Sequence, residues 1–131
     1  MEITLDNWNG IYCKEENYHI NSLEKLLDVL EKLDAKQYTL VNLVSSEGHY
    51  LMVGGGNGEY VVTGEEDGMI FNLVDLNKKN TLKIELNVGG QVGLFNSKYI
   101  LSKKLAFECA GEYFATGCIP KNDLDFSWEK Y

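Results

Sequence analysis

Arginine is missing from this chain. All 12 basic residues are lysine, set against 20 acids for a net charge of −8. Binding nucleic acid requires a cationic stripe that displaces counterions from phosphates, and the best base reader is a bidentate guanidinium. Both are lacking, so a nucleic-acid partner is not expected. An anionic membrane surface is disfavoured for the same reason. No apolar run approaches the roughly 18 residues of a membrane span. The opening MEITLDNWNG has neither a cationic n-region nor an apolar h-region, so no secretory signal is expected and the cytoplasm is the expected compartment. There is a single proline, and there are only two histidines, His19 and His49, neither with a second histidine or cysteine at metal-ligand spacing. The three cysteines (Cys13, Cys109, Cys118) are odd in number and lack C-x-x-C spacing, which reads as thiols filling a core. No metal or other cofactor is expected.

Base is also absent locally. Residues 1–36 carry 8 acids and 4 lysines, and residues 78–131 carry 6 acids and 8 lysines. Between them, residues 37–77 hold Glu47, Glu59, Glu65, Glu66, Asp67 and Asp75 and no lysine, so that, with His49 neutral, no base offsets them. Acidity alone can serve solubility. A base-free block can also meet a cationic partner.

What is present describes one α+β domain over residues 1–131. The chain is 44% apolar, with no linker, repeat or low-complexity segment. Leu23, Leu26, Leu27, Leu30 and Leu33 share a helical face, which predicts an amphipathic helix over 22–35, capped by Asn21 with Glu24 three residues on. YTLVNLV (38–44), HYLMV (49–53), EYVVT (59–63) and MIFNLV (69–74) are β-rich runs separated by glycine-containing turns, which predicts an antiparallel meander. TLKIELNV (81–88) alternates, and a short strand is expected near 91–95. A second helix is expected over 103–116, stopped by Gly117. The last expected strand alternates Leu124, Phe126 and Trp128 against Asp125, Ser127 and Glu129. The architecture is therefore an antiparallel sheet of five to seven strands with two helices mainly on one face.

Motifs that carry chemistry are few. VGGGNGEY (53–60) resembles a phosphate loop only in its glycines. Glu59 and a β-rich run follow where a Walker loop needs Lys-Ser/Thr and a helix. The plainer reading is a hairpin loop, or a place where backbone passes close to backbone. A Cys109–His49 nucleophile pair would need both to meet in space, and Cys109 falls on a buried helical stripe where thiols are inert. Glu65-Glu66-Asp67 reads as a solvated turn, a poor place for the protonated carboxylate of a hydrolase. It can, however, present anions to a basic groove, steering association, with tyrosines as anchors. The candidate partner-binding residues are Glu59, Tyr60, Glu65, Glu66 and Asp67, with Tyr50 and Asp75. Trp8 is a further possible anchor, whereas Trp128 reads as core.

SLEKLLDVLEKL, YLMVGGGNGEYVV, the Asp-Gly turn, LKIELNVGGQV and the tail FATGCIP…FSW together resemble one family across about residues 20–129. It is the immunity-protein family that heads the immunity families of bacterial polymorphic toxin and contact-dependent inhibition systems. Thr116-Gly117, Pro120 and Trp128 carry its most specific part. Ile119 stands where the family commonly has a bulky polar or basic residue, and the gap from Pro120 to Trp128 is longer. The resemblance implies an antitoxin that is not an enzyme. Such a protein would bind a cognate toxin domain, a nuclease or nucleic-acid deaminase with a basic groove, and block its active site. The alternatives are a small-molecule-binding or regulatory α+β domain and a small cysteine- or carboxylate-dependent hydrolase.

Overall fold

The computed structural model describes residues 1–78, 82–123 and 125–131. Its chain opens with strands that the sequence reading left unassigned: β1 (Glu2–Leu5), β2 (Trp8–Asn9), β3 (Tyr12–Cys13) and β4 (Glu16–His19). Helix α1 (Leu23–Leu30) follows, then the expected meander of β5 (Leu40–Ser46), β6 (His49–Gly56), β7 (Glu59–Glu66) and β8 (Met69–Val74). A hairpin of β9 (Lys83–Val88) and β10 (Gln91–Asn96) leads through a 3₁₀ turn at Ser97–Tyr99 into α2 (Lys103–Thr116), and β11 (Ser127–Lys130) closes the order. Thr81 and Leu124, expected in strands, lie outside the described residues.

Seven strands form one antiparallel sheet in the order β11-β8-β7-β6-β5-β1-β4. The fold is α+β, at the upper end of the expected strand number. Alternation sorts its faces. Ile3, Leu5, Val41, Leu43, Leu51, Val53, Val62 and Leu73 are buried on one side, in one core with Leu26, Val29 and Leu30 of α1 and Ala106, Cys109, Ala110 and Tyr113 of α2. Phe126 and Trp128 join this core, as expected of the closing segment.

Helix α1 is shorter than its leucine periodicity predicts. Ser22, one residue beyond Asn21, is the cap, its hydroxyl accepting the Lys25 N–H at 3.3 Å. The helix then tightens, with Lys32 N–H donating to Val29 O and Leu33 N–H to Leu30 O, both at 3.1 Å. Asp34 next draws the chain into a turn by accepting the N–H groups of Lys36, Gln37 and Tyr38 at 2.9–3.0 Å. Leu33 stays buried although it lies past the helix. Helix α2 matches its expected bounds: Ser102 caps it, and Gly117 ends it in the left-handed conformation at φ 72°.

The run Gly54–Gly56 is strand, and its glycines serve close approach. A Cβ on Gly54 would lie 2.5 Å from a Val88 methyl, and one on Gly56 would lie 2.6 Å from the Asp34 and Ala35 nitrogens. The β9–β10 hairpin thus packs onto the second face of the sheet. Val61, Leu86 and Ile100 form a small separate core there, with Ile84, Val88 and Phe95 against it. That placement corrects the sequence reading, in which the 81–88 run was part of one sheet.

A hydrogen-bond hub fastens this corner. The Asp6 carboxylate accepts the N–H groups of Thr39 at 2.6 Å and Leu40 at 2.8 Å, the Trp8 indole N–H at 2.7 Å, and the Thr39 hydroxyl. Thr39 is fully buried, and its hydroxyl oxygen accepts the Gly90 N–H at 2.9 Å.

Candidate protein-docking surface

Beyond the hairpin, the second face of the sheet is open. Register places two rows of side chains across it. One runs His19, Glu2, Val44, Tyr50, Glu65, Ile70. The other runs Asn17, Thr4, Asn42, Met52, Thr63, Asn72, Glu129. None of these residues is buried, in contrast to the leucines and valines that alternate with them. The rows hold three carboxylates and no lysine, because the four strands of the meander fall inside the base-free block.

The carboxylates are positioned rather than loose. Glu65 accepts a hydrogen bond from the Tyr50 hydroxyl. That bond, followed by burial and by the Glu65 charge, raises the Tyr50 pKa above its ordinary value. The Glu2 carboxylate meets His19 Nδ1 at 2.5 Å. Asp67, in the β7–β8 turn at φ 51°, lies 3.4 Å from His49 Nε2 and is itself largely exposed. The Tyr99 hydroxyl at 2.6 Å and Lys98 Nζ hold Glu129, and these hydrogen bonds, Tyr99 first, lower its pKa.

The seven residues singled out from sequence fall in two groups. Tyr50, Glu65, Glu66 and Asp67 gather at the β7–β8 turn end of the sheet. Glu59, Tyr60 and Asp75 lie at the other end of β7, roughly 20 Å away at about 3.3 Å per strand residue. Glu59 is exposed beside the Asn57-Gly58 turn. Tyr60 is not a surface anchor: it is 4% exposed, and its ring meets Phe107 edge-on at 5.4 Å. Alternation turns it to the helix face, which its flanking glycines and Glu59 had obscured. Glu66 is occupied structurally, accepting the Ile119 N–H. Asp75 is half-buried and closes its own turn by accepting the Asn77 N–H at 3.0 Å. Trp8 packs its ring on Gly90 and is likewise engaged.

Sequence reasoning missed Glu2, Thr4, Asn42 and Glu129. The alternation of Glu2-Ile3-Thr4-Leu5 was the available signal, but four residues seldom distinguish a strand from a loop.

The two residues of the Cys109–His49 pair considered from sequence sit in different surroundings. Cys109 is completely buried in α2, and burial, with the nearby Glu112 charge, pushes its thiol far above the ordinary range, which disfavours a nucleophilic thiolate there. His49 is turned to Asp67 at the turn end of the sheet. Among the described residues no three histidine, cysteine or carboxylate side chains group as a metal site, and no helix is long and apolar enough to cross a membrane. Compared with known proteins, the sequence matches no family model and no curated protein.

Proposed function

We propose that the chain is an immunity-type inhibitor that binds a cationic protein domain through the open face of its sheet. The observation that carries this reading is the pair of positioned carboxylates Glu2 and Glu65 on the open face, with Asp67 in the turn at its end, on a sheet whose meander strands β5–β8 contain no lysine. Carboxylates already held by tyrosine and histidine lose little side-chain freedom on docking, which lowers the entropic cost of association. A negative face steers a positive groove and suppresses wrong partners. The cognate partner on this reading is a toxin domain acting on nucleic acid, a nuclease or deaminase, whose substrate groove must itself be cationic. Occluding that groove requires no chemistry from the inhibitor.

The test is co-expression with the toxin domain encoded beside the chain's own reading frame, followed by binding kinetics on the purified pair. Protection of the cells is expected. Glu65→Lys combined with Asp67→Lys is expected to slow association at least tenfold at low salt, with the effect shrinking as ionic strength rises. Unchanged association in that double variant would remove the turn end of the sheet from the interface.

A further inference from the structure

Apart from the β2–β3 pair, whose strands are only two residues long, four strand edges are open among the described residues, and three of them are defended. β4 carries Glu16 and His19, β11 carries Glu129 and Lys130, and β9 carries Lys83 and Glu85. Charges on an edge discourage another strand from pairing with it. β10, with the sequence QVGLFN, has none. Its hairpin turns through Gly89-Gly90, both at positive φ, so Val88 and Gln91 form the closing hydrogen-bonded pair. Hydrogen-bonded and open positions alternate from there, leaving the N–H and C=O groups of Val92 and Leu94 directed away from β9. Their side chains are 66% and 65% exposed.

Beside this edge lies a groove of about 480 Å³ lined mainly by apolar side chains. Thr63, Ile70 and Asn72 of the open sheet face form its floor, and Phe95, Tyr99 and Tyr131 its walls. Gly93 leaves room next to Phe95, whose ring lies 3.2 Å from where a Cβ would stand.

We propose that the free edge of β10 and this groove capture an extended segment of a cationic partner protein by strand addition. Unpaired strand groups select an extended polypeptide, and the groove accepts its alternate side chains. The segment therefore carries aliphatic or aromatic residues at every second position. Lysine or arginine beside them meets Glu65, the register partner of Ile70. A second copy of the chain is the poorer occupant: each copy carries −8, and QVGLFN has no cation to offer Glu65. The proposal rests on the reading of the chain as a protein-binding module and adds the mode of capture.

The experiment is selection from a random linear dodecapeptide display library against the protein, with depletion on a Leu94→Pro variant. The Leu94 N–H lies outside the β9 ladder, so proline removes an edge donor and leaves the hairpin paired. Enriched peptides are synthesised with and without N-methylation at alternate residues and titrated into ¹⁵N-labelled protein. Expected are alternating apolar sequences with flanking lysine or arginine, slowed exchange of the Val92 and Leu94 amides on binding, and at least tenfold weaker binding of the methylated peptide. The methylated peptide needs no variant, so a poorly folded Leu94→Pro protein does not blunt the test. No enrichment, or equal binding of methylated and unmethylated peptides, would overturn strand addition. A concentration-dependent dimer whose Val92 and Leu94 amides become protected would overturn the choice of partner. Failure here with toxin neutralisation intact removes the capture mode alone; peptide capture without neutralisation removes the immunity reading alone.

Discussion

At the residue scale, removing the Asp6 carboxylate strands the N–H groups of Thr39 and Leu40 and the Trp8 indole together, and frees the Thr39 hydroxyl. Each partly buried donor left unpaired costs about 1–3 kcal/mol, offset where water reaches it. Asp6→Ala is therefore expected to lower stability by about 2–4 kcal/mol, read from the urea midpoint at unchanged slope. The Gly90 amide should also exchange faster, since it donates to the same Thr39 hydroxyl. A midpoint shift within error would show that the hub contributes nothing. Asp34 behaves differently. Burial on its own would raise its pKa, but the N–H groups of Tyr38, Lys36 and Gln37 outweigh it, and the folded value falls below the ordinary 3.8. A depressed carboxylate stabilises the fold above its unfolded pKa and loses that contribution as pH falls through the folded value. Asp34→Asn should thus reduce the drop in thermal midpoint below about pH 4. Parallel midpoint curves for the two proteins would count against it.

At the scale of elements, the glycine run shows how one strand serves two partners. Gly54 admits Val88 from the β9–β10 hairpin, and Gly56 admits the Asp34 turn that follows α1. Gly56 also sits at φ 141°, a backbone that side chains rarely adopt. Gly56→Ala combines strain with a clash against backbone that cannot swing aside, so a loss of at least about 2 kcal/mol is expected by chemical denaturation. The same residues explain what could be read in advance. The meander, α2 and its Gly117 stop were legible because their periodicity and turn glycines are local signals. The alternative of backbone close approach was legible at Gly54–Gly56, but not which elements approach. Strands β1 to β4 were illegible because they are two to four residues long, and β1, on which β4 pairs, is held in the sheet by β5 some forty residues away.

For the whole molecule, charge and topology act together. The base-free block would be only a stretch of sequence had the meander not laid its strands side by side. β1 extends the sheet and adds Glu2, and β11 adds Glu129 at the opposite edge. Charge at this scale governs encounter, so the slower association expected for Glu65→Lys with Asp67→Lys should vanish within a few hundred millimolar salt. Binding through the apolar groove should persist there. That difference in salt response separates the two contributions within one complex.

The sequence by itself determined the composition of the surface: no arginine anywhere, no lysine from 37 to 77, and alternation that sorts strand residues onto two faces. These are properties of residue type and spacing, which folding cannot alter. Tertiary structure decided which carboxylates share a face, that Tyr60 belongs to the core, and that the hairpin covers one part of the second sheet face while leaving a charge-free edge beside the other. Those outcomes depend on strand order and on packing between distant segments, and neither is encoded in any local window of the chain.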